Sequence, residues 1–412
     1  MKFIDKYNCI IIGAGAAGLI SGGVSAQRGR KTLVIDKNDK PARKVRITGK
    51  GRCNVTNDCE VREVIEAVPN GGKFLYSALN SFTPEDTKTF FENLGVPLKT
   101  ERGKRVFPIS DSAHDIANAL VKFAEQNGAK IIKDTAVLLI IENEKIVGVK
   151  TKRGNFAAES VLIATGGLSY PGTGSTGDGY RMARAVGHTI TKTAPSLIPL
   201  VEDGNICEKL MGLSLKNCEV KIISADKSKP VYKDFGELLF THFGLSGPTI
   251  LSASAHMRPM ESGKFKAVID LKPALSEQQL DLRILRDFDK NKNKIFENSL
   301  NELLPQKLIP IMVELSEIDG QKRCNEITQT ERRKFRDLLK AFEIKIAGFR
   351  PIAEAIITSG GVSIKEIEPK TMKSKLIDGL YFAGEVIDVD AYTGGFNLQI
   401  AFSTGFAAGQ AM

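Results

Sequence analysis

The 412-residue chain has no tryptophan and only four histidines. Its six cysteines, at positions 9, 53, 59, 207, 218 and 324, never form a C-x-x-C pair. That spacing argues against a disulfide framework, a zinc site and a dithiol redox centre, and it fits a reducing cytoplasm. No metal centre is expected. Low-complexity segments are absent. Cys9–Ala26 is a long uncharged apolar run, and the other uncharged run, Ala391–Met412, is broken by polar residues, so no membrane association is expected. Lys2 and Lys6 precede the first run, as in a signal peptide or anchor, but it is dense in glycine and a strand follows at once. The lysines are not clustered. The net charge of +10 suits an anionic partner, such as a nucleotide, a metabolite, nucleic acid or a membrane surface, yet surface solvation explains most of it. No RNA-binding motif and no clustered basic–aromatic surface is visible, so a small-molecule substrate is expected and nucleic acid is not. Hydrophobic content of 42% is that of a globular protein, and the length allows two or three domains.

The chain is organised around Tyr7 to Asp36. Cys9 to Ile12 is a continuous apolar run and reads as a buried strand. It breaks into Gly13-Ala14-Gly15-Ala16-Ala17-Gly18, a G-x-G-x-x-G, and Leu19 to Gln27 follows as a helix that Gly29 stops. Lys31 to Ile35 is a second buried strand, ending on Asp36. This βαβ unit with its terminal acid predicts a dinucleotide site. Gly13 allows the tight turn, Gly15 lets a pyrophosphate approach the backbone, and Gly18 lets helix and strand pack closely. Asp36 is placed to accept hydrogen bonds from ribose hydroxyls.

Further along, Asp39 to Asn57 is a basic, glycine-containing loop. Helices are expected from Thr83 to Gly95 and from Ser110 to Gly128. Ala136–Ile141, Ile146–Lys150 and Asn155–Ala158 read as a β-meander, and Val161–Ala164 as another buried strand. That strand opens into a second glycine-rich loop, Thr165 to Gly179, and a helix from Tyr180. Gly172, Gly174 and Gly177 also spell G-x-G-x-x-G, but Pro171 and six other residues separate them from the strand and no acid-terminated strand follows. A second nucleotide site is therefore not expected. From about Thr191 short strands dominate, then a charged helical stretch from Ser276 to about Phe342, with a capping box at Thr328–Glu331. The end of the chain returns to an apolar strand, Gly379 to Glu385, and a small-residue helix running to Gly409.

Four pieces together resemble the two-dinucleotide-binding-domain flavoproteins: the βαβ unit ending in Asp36, the meander, Ala164-Thr165-Gly166-Gly167, and Phe382-Ala383-Gly384-Glu385. Three further stretches narrow the resemblance: Arg46 to Asn54, Leu239-Phe240-Thr241-His242 with Gly247-Pro248, and Gly394 to Gln399. They look like the bacterial BaiN/YhiN-type NAD(P)/FAD-dependent oxidoreductases, which include aminoacetone oxidases and bile-acid double-bond reductases.

The resemblance implies an α/β fold. A Rossmann-like FAD-binding domain with a β-meander would comprise residues 1–190 and 351–412. An inserted β-barrel-like and helical substrate or cap region would comprise 191–350. FAD would be the cofactor and NAD(P)H the diffusible electron donor. Hydride would pass through flavin N5 to a conjugated C=C, for instance of a 3-oxo steroid. O₂-linked oxidation of a small amine such as aminoacetone, or action on RNA, are the alternatives. Beyond Gly13, Gly15, Gly18 and Asp36, the implied cofactor contacts are Ala16, Ala17, Lys37, Lys44, Gly49, Gly51, Arg52, Cys53, Asn54, Val137, Thr165, Gly166, Gly167, Gly384, Glu385, Asp388, Gly394, Gly395, Asn397 and Leu398.

Three side chains are candidates for chemistry. Cys53 is either a flavin-adjacent thiol activated by Lys50 and Arg52, or a packing residue. His242 is an acid/base or a structural histidine. Tyr392, like Tyr170, either donates a proton near the flavin or packs. Gly394 and Gly395 are expected to bring backbone close to a flat ligand. The helix after them is expected to direct its positive end at the reduced flavin.

Overall fold

A computed structural model describes residues 2–412. Its first strand, β1 (Asp5–Ile12), leads into α1 (Ala16–Gln27) and then β2 (Thr32–Asp36). β1 lies inside a parallel ladder. Ile10 and Ile11 face Leu33 and Val34 on one side, and Val161 and Leu162 on the other. Cys9 to Ile12 are buried because both faces of the sheet are covered. After α2 (Arg43–Ile47) and α3 (Ala113–Gln126), β3 (Lys130–Lys133) joins the outer edge of β2. The meander follows as β4 (Ala136–Glu142), β5 (Lys145–Thr151) and β6 (Asn155–Ile163). Next come α4 (Asp178–Ala185), β7 (Leu380–Phe382), which pairs in parallel with β6, and the final α5 (Phe396–Ala411).

The structure merges the two strands expected at Asn155–Ala158 and Val161–Ala164 into the single strand β6. Nothing between them turns the chain, and β1 templates the whole length, from Asp5 opposite Phe156 to Ile12 opposite Ile163. The first half of β6 carries the meander and the second half carries β7. α5 packs on α1 at very short range. A Cβ at Gly405 would lie 2.4 Å from the Ala17 carbonyl oxygen, and one at Gly409 2.8 Å from that of Ser21. The small residues of α5 are therefore a packing requirement. A small three-stranded sheet of Thr56–Asn57, Leu98–Glu101 and Arg105–Pro108 carries no strong alternation and was not expected.

The chain divides into two compact units: residues up to Ser196 together with Pro351–Met412, and Leu197–Arg350. The first boundary falls at Ser196 rather than 190, because Ala194–Ser196 pairs with Ile357–Ser359 in the sheet-bearing unit. The second unit is a closed antiparallel barrel. Around it run the strands Leu200–Glu202, Gly244–Ser246, Tyr232–Thr241, Ser214–Ser224, Phe265–Asp270 and Phe342–Phe349. Its core includes Leu238, Phe240, Leu245 and Phe342. Helices Glu277–Lys290 and Gln329–Lys340 start on capping boxes, Ser276 with Gln279 and Thr328 with Glu331. The closing strand follows the charged helices. Phe342, Ile344 and Ile346 point inward while Glu343 and Lys345 face solvent, the alternation of a half-buried strand.

Candidate functional site

The C-terminal ends of β1, β2 and β6 open onto a cleft of about 1320 Å³, counting the space open to solvent. Ligands bind at this position in open α/β sheets. Gly13, Gly15, Ala16 and Ala17 line it. The three glycines differ in what surrounds them. Gly13 sits at φ +107, and its missing Cβ would meet the Ala164 carbonyl oxygen at 2.5 Å. Gly18 lies off the cleft, and a Cβ there would meet the Gly13 oxygen at 1.9 Å. Gly15 has nothing within 4 Å of the position its Cβ would take, so that space belongs to the cleft. No side chain caps α1 at Gly15, which leaves the first N–H groups of the helix for a ligand. A pyrophosphate fits this cradle.

Asp36 lines the floor of the cleft. Its Oδ2 accepts from Ala14 N–H at 2.7 Å and its Oδ1 from Asn38 N–H at 2.7 Å. Each oxygen keeps a second lone pair for a ribose hydroxyl. Lys37 also lines the cleft, and its Nζ donates to Asp178 Oδ2 at 2.6 Å. Thr165, Gly166, Gly384, Asn397 and Leu398 complete the lining among the expected residues.

Lys44 and Glu385 form the most organised polar group of the cleft. Lys44 Nζ donates to Glu385 Oε2 at 2.6 Å and to Ser169 Oγ at 2.6 Å. Ser169 Oγ in turn donates to Glu385 Oε1 at 2.7 Å, and Thr358 N–H to the same oxygen at 2.9 Å. An ammonium has three donors, so one remains on Lys44 for a ligand. Ser169 and Thr358 were missed in the sequence. Ser169 follows Ala164-Thr165-Gly166-Gly167-Leu168 directly, and Thr358 precedes a Gly360-Gly361 pair, the two signals that pointed to them. Asp134, also missed, lines the cleft, and its buried Oδ2 has no hydrogen-bond partner among the described residues.

Other expected contacts lie elsewhere. Val137 stands outside the lining, which takes Thr135 and Ala136 from that stretch. Gly167 is close-packed instead, since a Cβ would meet Thr358 Oγ1 at 2.5 Å. Asp388 is half-buried, and its N–H donates to the Val362 carbonyl. Gly49 and Gly51 form a left-handed turn off the cleft, and Asn54 buries an unpartnered Oδ1. Arg52 stands outside the cleft lining and is engaged by protein groups. It grips Glu101 and Asp111 and stacks 4.3 Å above the Phe107 ring.

Cys53 is fully buried, and burial pushes its thiol up to about 12. Of the two readings of Cys53, this burial supports the packing one, since burial alone sets the shift and no neighbouring cation lowers it. Cys53→Ala should leave flavin content and turnover unchanged, and the native thiol should resist iodoacetamide. Alkylation of Cys53 in the folded protein would contradict this.

The glycine pair also needs correction. A Cβ at Gly395 would meet the Thr56 carbonyl oxygen at 2.3 Å, so the close approach is to protein backbone, not to a flat ligand. Gly394 sits at φ +127, and its carbonyl accepts from Asn57 Nδ2 at 3.0 Å. The helix end itself does reach the cleft through Asn397 and Leu398. Asn397 is anchored there. Its Oδ1 accepts from Ala391 N–H at 2.9 Å, and its Nδ2 donates to the Ala391 carbonyl at 2.8 Å and that of Tyr392 at 3.3 Å. Tyr392 is half-buried, and burial, then the Asp390 carboxylate, raise its pKa. His242 is exposed at the turn between Tyr232–Thr241 and Gly244–Ser246, edge-on to Phe243 at 5.0 Å.

The comparisons agree over nearly the whole length. "Ribosomal RNA dihydrouridine synthase" of Escherichia coli K12 is 30% identical over 413 residues, covering 99% of this chain and 98% of that protein. "3-dehydro-bile acid delta(4,6)-reductase" of Clostridium scindens is 29% identical over 411 residues, 97% and 98% of the two chains. Among solved structures, 3-ketosteroid delta1-dehydrogenase from Sterolibacterium denitrificans shares the fold. Its TM-score is 0.54 at 13% identity, over 98% of this chain and 99% of that one. With the family model matching residues 7–411, the chain belongs to the HI0933-like protein Rossmann domain family.

Proposed function

We propose that the chain is an FAD-dependent oxidoreductase that reduces a carbon–carbon double bond conjugated to a carbonyl, using NAD(P)H as a diffusible donor. The observation that carries this reading is the cleft, with an uncapped helix end and open glycine at one wall and the Lys44–Glu385 pair at another. FAD held there would supply hydride from its reduced N5. The names of the two relatives support the bond type. A bile-acid delta(4,6)-reductase and a dihydrouridine synthase both saturate a double bond next to a carbonyl.

The protein's share is to bind, orient and move a proton. Hydride arriving at the carbon β to the carbonyl leaves the α carbon needing a proton. Tyr392 is our first candidate donor, because its phenol is protonated at neutral pH and Asn397 of the cleft lining holds its carbonyl at 3.3 Å. His242 is the second. Parallel strand ladders occur in one sheet among the described residues, and that sheet carries the one βαβ fingerprint. The nicotinamide donor therefore docks transiently at the flavin face.

Anaerobic mixing with NADH, then NADPH, should bleach the visible flavin band. An α,β-unsaturated 3-oxo steroid should restore it. Bleaching by aminoacetone with recovery in O₂ would favour amine oxidation instead. His242→Ala and Tyr392→Phe should each slow recovery at unchanged flavin content, and a variant with wild-type kinetics is not the proton donor.

A second reading puts the double bond in a uracil base of RNA. It is favoured by the name of the Escherichia coli relative, by the net charge of +10 and by Arg43, a cleft-lining cation whose hydrogen bond goes to the neutral Asn38. Recovery of the flavin band on adding unmodified ribosomal RNA, but not the steroid, would select it.

A further inference from the structure

We infer that the surface from Lys40 to Lys50, built on α2, docks the phosphate backbone of single-stranded RNA next to the cleft. This inference rests on the RNA reading above. Residues 40–52 carry six cations, Lys40, Arg43, Lys44, Arg46, Lys50 and Arg52, and no acid. Two of them are neutralised, Lys44 by Glu385 and Arg52 by Glu101 and Asp111.

The other four keep their charge. Arg43 donates to the neutral Asn38 Oδ1 at 3.2 Å. Arg46 donates to the Pro41 carbonyl and to Asn118 Oδ1, and meets His114 Nδ1 at 3.0 Å. Lys40 and Lys50 are exposed, and no ion pair reaches them among the described residues. The carboxylate nearest in sequence, Asp39, is bonded by Lys133, and Arg43 acts on it only at longer range.

Solvation alone explains isolated lysines, but residues 40–52 concentrate six cations with no acid among them. An unpaired strip of four is more than a small carboxylate substrate needs. Arg43 and Lys44 also line the cleft, so the strip is continuous with the site. A phosphate backbone laid along it would bring a splayed base to the cleft. Unpaired cations that release counterions are the general means of holding such a backbone.

The test is fluorescence anisotropy of the flavin-loaded protein with a short uridine-rich single-stranded RNA, titrated across KCl concentrations. Lys40→Gln/Lys50→Gln removes two charges outside the cleft. Its slope of log K against log salt should be shallower than wild type by about 1.4, at about 0.7 per phosphate contact. Lys40→Arg/Lys50→Arg should keep the wild-type slope, and flavin content should match in all three. If wild type binds RNA and the Gln variant shows the same slope, the RNA reading stands and the docking surface is overturned. If wild type binds no RNA, or binds phosphatidylserine vesicles more tightly than RNA, both fall.

Discussion

Gly15→Val is expected to fold and to lose its flavin. Gly15 has φ −87, which valine adopts without strain, and a Cβ there meets no atom within 4 Å beyond its chain neighbours. The valine instead fills the space before the first N–H groups of α1. Two or more charge-assisted hydrogen bonds to the pyrophosphate would be lost, at about 1.5–3 kcal/mol each. FAD binding should weaken by roughly 10²–10⁴-fold, measured as flavin-to-protein ratio and as quenching on titrating apoprotein. Gly18→Val is the contrasting control. Its Cβ would stand 1.9 Å from the Gly13 oxygen, so that variant should be insoluble rather than colourless. Stoichiometric FAD in a folded Gly15→Val protein would sink the phosphate assignment.

The second large effect is on stability. Gln399 is fully buried at the start of α5, and every polar atom of its side chain is in use. Its Oε1 accepts from Thr56 Oγ1 at 2.6 Å and Thr87 Oγ1 at 2.8 Å, while its Nε2 donates to the Phe82 carbonyl and Ser403 Oγ, both at 3.0 Å. Gln399→Leu leaves the Thr56 hydroxyl without its acceptor. Thr87 and Ser403 keep their bonds to the carbonyls of Thr83 and Phe82. We expect a loss of about 2–4 kcal/mol, and a Tm lower by roughly 3–7 °C. Because Gln399 holds the helix that presents Asn397 and Leu398 to the cleft, flavin affinity should fall with it. A Tm within a degree of wild type would mean that the network is dispensable.

The same anchoring limits how the helix end can be probed. Asn397→Asp adds a charge beside the cleft, but it also removes the donor that ties the Ala391 and Tyr392 carbonyls. A changed flavin potential in that variant would mix electrostatics with a loosened loop. The pull of the helix end on reduced flavin is better read from variants that leave 391–397 intact.

The sequence alone determined the βαβ unit, the acid at the end of β2, the capped helices and the absence of a second nucleotide fingerprint. These are local. Apolar runs, turn glycines and caps act within a few residues, so spacing encodes them. Tertiary structure decided which polar residues face the cleft and which only hold the fold. Cys53 and Arg52 sit in a motif that looks reactive, yet one is sealed in the core and the other is spent on Glu101 and Asp111. Lys44 meets Glu385 across 341 positions, and Gln399 meets Thr56 across 343. Gly395 is a glycine because a distant carbonyl, that of Thr56, needs its place. Burial and charge pairing are properties of such long-range neighbours, and no local pattern carries them.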